Sequence, residues 1–405
     1  MDNLEFKPGM TRGMEFEPGN PQEDGPKRIA KRDWHKILVR LGIAAAVVAG
    51  IGLLVLFTRS TTFDGIYRSF VYSRADKDEN GCAQLYAYSA EKDRSYATLE
   101  GSLILASQQR IMMLGDDGND LYNVDVNFHK SAVVTGGQRA AVYDLGGREI
   151  HLLDGHGLVR TLRAEGDILA CSINEKGYLA VTTGKSGYKA AVSVYDGTGE
   201  MKFQFNSSDR FLMTSVVSRQ GNQMASVAMG EKEGAFSSSV VLYDMGRSDP
   251  LAGRELSGGA VFDMGLVGRN YCAVAEDALH MIDRQGSEAG IFEYEGSFLR
   301  RCSLNGDGFA ALVLGRYRSG PQARLVSVDE QGAVLGQLRI NSEVLSISAA
   351  GKYIAVLYSD HMTIYDKRLS ECAELEDVSA AKAVLMRADG SAVLVGAESA
   401  SLYLP

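Results

Sequence analysis

The stretch AAVSVYDGTGE, residues 190–200, decides how the rest of the chain is read. Small and apolar residues build a short strand, Asp196 ends it, and glycines follow at 197 and 199. The pattern returns as AAVYDLGG (140–147), SVVLYDMG (239–246), ALHMIDRQG (278–286), RLVSVDEQG (324–332) and HMTIYDKR (361–368). An Asp carboxylate accepts a hydrogen bond from a backbone N–H two residues on, and Gly takes up positive φ without steric cost, so each copy predicts a strand running into a tight turn. The turn residues Asp144, Asp196, Asp244, Asp283, Asp329 and Asp366 are 37 to 52 residues apart, about 44 on average. That is the length of one four-stranded propeller blade.

One strand earlier, each repeat carries consecutive apolar residues: YLAVTT from 178, MASVAM from 224, YCAVA from 271, FAALVLG from 309 and YIAVLY from 353. Unbroken apolar runs predict strands covered on both faces, as where blades stack around an axis. RIMMLGDDG (110–118) and SASLYLP (399–405) look like two further members and bring the third strands to eight, with seven as the alternative. The final blade then has only three strands of its own, and AQLYAY (83–88) or RSYATL (94–99) is expected to supply the fourth and close the ring.

Composition agrees, with 45 Gly and 7 Pro among 405 residues. The net charge of −9 is uneven: residues 1–36 hold seven acidic and seven basic groups, and Arg40 adds one positive charge, which leaves −10 on the remainder. An acidic body lacks the clustered cations that phosphate neutralisation requires, so nucleic acid is not an expected partner. Five widely spaced cysteines, Cys82, Cys171, Cys272, Cys302 and Cys372, form no C-x-x-C pair and read as small hydrophobes.

Ahead of the repeats, residues 1–33 are rich in Gly, Pro and charge and read as a disordered tail. The tail contains LEFKPG (4–9) and MEFEPG (14–19), which place Phe6 and Pro8 in register with Phe16 and Pro18. Two such copies could engage one partner bivalently, and chance similarity in a biased segment explains them equally well. Residues 41–57, LGIAAAVVAGIGLLVLF, hold no charge; with residues 37–40 they reach the span of about twenty residues that a ~30 Å hydrocarbon core needs. A spanning helix is expected within 34–58, then a stalk at 59–64 and the repeat body at 65–405. Lys27, Arg28, Lys31, Arg32, Lys36 and Arg40 precede the span, so the tail is expected in the cytoplasm and the body beyond the membrane. FTRSTTF after the span offers no small-residue cleavage site, which favours an uncleaved single-pass anchor held by membrane lipid.

With its VYD and IYD endings in the place of Trp-Asp, the body from about Gly65 to Pro405 resembles the WD-repeat and quinoprotein-like propeller superfamilies. More narrowly, the chain is similar to single-span, propeller-bearing proteins of unknown function from clostridial bacteria. The Gly-His signature of WD repeats is missing, and one Trp cannot supply repeated tryptophan docking motifs. The fold so implied is an all-β propeller of eight blades, alternatively seven, behind one membrane helix and a tail.

Sites are harder to read. The turns NEKG (174–177), NGDG (305–308), AAGK (349–352) and RADG (387–390) between first and second strands are short. The links at 184–189, 230–238 and 315–322 are longer and are expected on one face, presenting Lys185, Tyr188, Lys189, Glu231, Lys232, Glu233, Phe236, Arg316, Tyr317 and Arg318 to a partner. DKDENG (76–81) matches the first half of a calcium loop and makes Asp76, Asp78 and Asn80 the metal candidates. Its twelfth position is Ala87 where a bidentate Glu is needed, so the reading is a solvated acidic turn. His280 and His361 fall in third strands with packing roles expected, and no hydrolase, zincin or nucleotide-loop motif occurs. The expectation is a non-enzymatic, membrane-anchored scaffold for a protein or envelope component, without a cofactor. The alternatives are a small-ligand sensor or a quinone-dependent dehydrogenase.

Overall fold

The computed structural model describes residues 81–405 apart from 92, 233–234, 248 and 258. The tail, the expected membrane span and stalk, and Asp76, Asp78 and Asn80 lie outside the described residues. Among the described residues no helix is long and apolar enough to cross a membrane. Thirty-two strands form eight antiparallel four-stranded sheets. Blades 1 to 7 are consecutive, at 95–125, 131–163, 168–207, 211–256, 261–293, 298–340 and 346–376. Blade 8 combines three strands from 383–403 with the first strand of the described chain, Cys82–Ala87.

The expected both-face burial is present. The second strands Phe309–Gly315 and Tyr353–Leu357 are buried at every position, whereas the fourth strand Glu288–Glu293 alternates between exposed and half-buried residues. A middle strand needs a blade on each side, and the core shows how that is met. It divides into eight apolar clusters, each shared by two neighbouring blades. An open arc of eight blades has only seven such junctions. The eighth joins Tyr86, Val393, Val395 and Ala400 of blade 8 to Leu103, Leu105 and Leu114 of blade 1, so the ring is closed. Serines on the innermost strands add ties between blades: Ser172 Oγ donates to the Ser215 carbonyl at 2.6 Å, and Ser348 Oγ accepts the Met386 N–H at 2.9 Å.

Closure itself is a strand pairing across nearly the whole chain. Cys82–Ala87 runs antiparallel to Ser399–Tyr403, and Tyr88 donates its hydroxyl to the Ser399 carbonyl at 2.7 Å. Of the two expected closing segments, AQLYAY does this work; RSYATL supplies the first strand of blade 1, Ser95–Leu99.

The turn chemistry holds, with one change of phase. Oδ1 of Asp196 accepts the N–H groups of Thr198 and Glu200 at 2.9 and 3.0 Å. Asp283, Asp329 and Asp366 bind residues two and four further on in the same way. Gly286 and Gly332 take φ of 85° and 81° one residue before the second bond; in blade 7 Leu369 is forced to 63° in that place. Asp144 is not a member of this set. It ends the second strand of blade 2, Arg139–Asp144, and its buried carboxylate accepts the N–H groups of His129 and Lys130 from the link leading in from blade 1. The true third strand is Glu149–Asp154, where Asp154 accepts the His156 N–H at 2.9 Å. AAVYD and VSVYD look alike because second and third strands are both covered on two faces.

Two of the expected long links are also corrected. Residues 184–189 form a tight hairpin in which Lys185 pairs with Tyr188, and in blade 4 the second strand extends to Lys232, paired with Ala235. Only 316–322 is a true loop, because Gly315 pairs with Ala323.

Two predictions follow from ring and turn. Deleting residues 399–405 removes the third strand of blade 8, with which Cys82–Ala87 pairs; the body should lose its single cooperative melting transition, and an unshifted melt would contradict closure. At Asp196, burial acts to raise the carboxyl pKa, but hydrogen bonds from the Thr198 hydroxyl, the N–H groups of Glu200 and Thr198, and Lys202 outweigh it and hold the group well below its ordinary value. A depressed folded-state pKa stabilises above the unfolded pKa and loses that contribution as pH falls through the folded one. The melting-temperature gap between wild type and Asp196→Asn should therefore be full above about pH 4 and shrink below it. A gap that stays constant with pH would contradict the assignment.

Candidate functional site

In an antiparallel four-stranded blade, the first-to-second and third-to-fourth turns emerge on one face of the ring, here called the lower. Second-to-third hairpins and the links between blades emerge on the upper face. The chain joins the ring at Cys82 on the lower face, since a fourth strand runs upward. Lys185, Tyr188, Lys189, Glu231, Lys232, Arg316, Tyr317 and Arg318 all belong to upper-face segments of blades 3, 4 and 6. Phe236 pairs with Glu231 in the blade 4 hairpin; Glu233 lies outside the described residues.

Four consecutive innermost strands carry an irregularity that their sequence did not announce. Pairing between first and second strands skips one residue at Leu169, Met213, Phe262 and Arg300 in blades 3, 4, 5 and 6. Each skip is a β-bulge, which bends the strand and re-aims side chains. The first-to-second strand ladders of blades 1, 2, 7 and 8 have none. Leu169, Met213 and Phe262 are thereby left in solvent near the upper mouth of the ring, with Phe262 63% exposed. Phe211 at 55%, Phe298, Leu345, Tyr188 and Tyr317 at 64% extend them into a crescent over blades 3 to 7. The other exposed large apolar side chains among the described residues, Leu121, Leu158, Met201, Leu251, Ile291 and Val334, are scattered one per fourth strand around the rim. Scattered residues need no explanation, whereas a group gathered on one face does.

Cations border the crescent. Lys189 lies 5.2 Å from the centre of the Phe211 ring, and Arg318 lies 5.3 Å from that of Phe298. Arg300, the bulge residue of blade 6, donates to the carbonyls of Tyr317, Ser319 and Gly320 and so holds the 316–322 loop in shape. The loop is thus built onto the inner strand. Lys185 pairs with Glu165 at 2.7 Å, a mostly exposed contact worth little to stability.

The second concave feature is the central channel, a cavity of about 1050 Å³ lined by the first strands of all eight blades. Its lower mouth is polar, with Glu100, Glu175, Arg219, Arg387 and Asp389; Arg219 pairs with Glu175 at 3.0 Å. Higher up, the lining mixes apolar side chains with Ser172, Thr214 and Ser303 and includes Cys171, Cys302 and one carboxylate, Asp263. Burial raises the Cys302 thiol to about 11, which leaves it a poor nucleophile. The histidines of the third strands serve as expected structural groups. His280 is buried and bridges Glu288 and the Ser257 carbonyl at 3.1 and 3.0 Å, and His361 stacks on Tyr358. Ala87, where a calcium loop would need its twelfth ligand, sits in the closing strand, and the described residues hold no group of three or more potential metal ligands.

A closed ring of eight four-stranded antiparallel blades defines the class: this is a β-propeller of the kind found in WD40 and quinoprotein structures. The C-terminal WD40 domain of Sif2 is similar at TM-score 0.55 and 10% identity, over 79% of this chain and 99% of that one. A computationally designed protein, Ika8, is similar at 0.55 and 12%, again over 79% and 99%. The quinohemoprotein alcohol dehydrogenase of Comamonas testosteroni is similar at 0.51 and 10%, over 81% and 78%. At such identities the likeness concerns the fold alone. By sequence the chain belongs to a family of unknown function, DUF5711, which it matches over residues 80–394. No curated protein matches it.

The bulge-borne residues Leu169, Met213 and Phe262, together with Phe211 and Phe298, were not anticipated from the sequence. A signal was present in FLMT (211–214), where three apolar residues in a row open a strand that needs only one apolar face at the channel.

Proposed function

We propose that this protein is a non-catalytic, membrane-anchored propeller that docks a protein or cell-envelope component on its upper face, outside the cytoplasm. The crescent of exposed apolar side chains on blades 3 to 7 carries the reading. A rigid closed ring has no folding reason to expose Phe262 and Phe211 together. Their large, stiff rings flanked by cations have the composition of interface anchors, in which aromatics and Arg supply most of the binding energy. The uncharged segment 41–57, with its excess of preceding cations, supports the anchor and the orientation. The paired Phe-Pro motifs at Phe6 and Phe16 would offer a second contact on the other side of the membrane.

Photo-crosslinkers placed singly at positions 262 and 317 of the full-length protein in its native membrane should capture a common partner. One at position 100, on the lower face, should not. Phe211→Ser with Phe262→Ser should weaken that capture about tenfold or more, since buried aromatic anchors are worth about 2 kcal/mol or more, while the melting temperature stays unchanged. Equal capture from the lower face would overturn the assignment of the face, and loss of membrane association only on deleting 41–57 tests the anchor separately.

A further inference from the structure

Asp263 is the only acidic residue in the eight first strands that line the channel. Asp is disfavoured inside strands, which favour β-branched and aromatic residues. Its carboxylate accepts a single hydrogen bond, from the Met264 N–H at 2.8 Å, and forms no ion pair among the described residues. Arg301, at the equivalent register position of blade 6, instead donates to the Arg300 carbonyl. The bulge at Phe262 accounts for the arrangement, because skipping one residue brings Asp263 into register with Val274 and sets it along the channel wall. Channel solvent reaches the group, yet protein surrounds it, and burial pushes its pKa above the ordinary carboxylate value, partly offset by the Met264 bond. Its charge acts on Cys302 in the next blade and on Tyr143 in blade 2.

A preformed cavity with partly apolar walls and a carboxylate that no cation neutralises has the features of a site for a small charged molecule. Elsewhere the channel lining includes Val216, Ile173, Leu304, Ile347 and Leu385, beside the polar Ser172, Thr214 and Ser303. A compact metal ion needs several converging ligands, and no such set is present among the described residues. An organic ammonium fits both features, with its charge on the carboxylate and its hydrocarbon against the walls. We infer that the central channel is a binding site for a small organic cation, an amine or ammonium with an apolar body, seated on Asp263. The site is separate from the upper-face crescent and does not depend on the partner-docking reading.

The test uses the full-length protein in detergent, titrated calorimetrically with benzylammonium and with putrescine. Their neutral counterparts, benzyl alcohol and 1,4-butanediol, serve as controls. At least one ammonium should bind saturably, with its neutral counterpart weaker by about tenfold or more, as for loss of a charge-assisted hydrogen bond. Asp263→Asn should abolish the difference and leave the melting temperature equal or higher, because it removes an uncompensated charge; Glu293→Gln, on the exposed outermost strand of the same blade, should bind as wild type does. A check that needs no variant is pH: binding by the unaltered protein should weaken as the carboxylate takes up its proton. The inference is overturned if neither ammonium binds, if the neutral compounds bind equally well, or if Asp263→Asn binds unchanged.

Discussion

Everything in this fold depends on covering both faces of the middle strands. Phe309–Gly315 buries every residue and its counterparts nearly all of theirs, and a strand of that kind is stable only when both faces are covered. A line of blades would leave two such faces in water. Closing the line through Cys82–Ala87 and Ser399–Tyr403 removes both at once and creates the eighth apolar junction. A short pairing between the two ends of the body thus completes the burial of all eight blades. This ties global stability to a few residues near each end, and truncating a fully buried side chain such as Phe309 is expected to cost about 3–5 kcal/mol.

Closure also explains where function can reside. In a ring whose blades are clamped on both sides, variation is tolerated at the strand ends and along the axis. The upper ends of blades 3 to 6 depart from regular pairing at one register position, and the departures place apolar side chains in solvent and one carboxylate in the channel. A single bulge at Phe262 contributes to each, turning Phe262 to the face and Asp263 to the axis. The two features share an origin in the backbone and differ in chemistry, one suited to a macromolecular surface and the other to a small cation.

Several of these features were legible in the residues. Unbroken apolar runs such as FAALVLG, with an Asp turn every 44 or so residues, are enough to require stacked four-stranded units, and the missing fourth strand after SASLYLP requires closure. The Asp144 turn was misplaced because a second and a third strand with identical burial are written in the same residues. The hairpins at 184–189 and 230–238 read as loops because their polar residues end strands beyond the reach of neighbouring blades, where alternation fades although pairing continues.

The sequence alone determined the class of fold, the four-stranded unit that repeats and most of the turn residues that punctuate it, because each of these rests on local periodicity and on hydrogen bonds only a few residues long; it left the number of units at eight or seven. What tertiary structure decided was which segment closes the ring, which neighbouring strands bulge at a common level, and that Asp263 faces a channel without a partner. Those properties arise from residues tens to hundreds of positions apart meeting in space, and no periodicity along the chain encodes such a meeting.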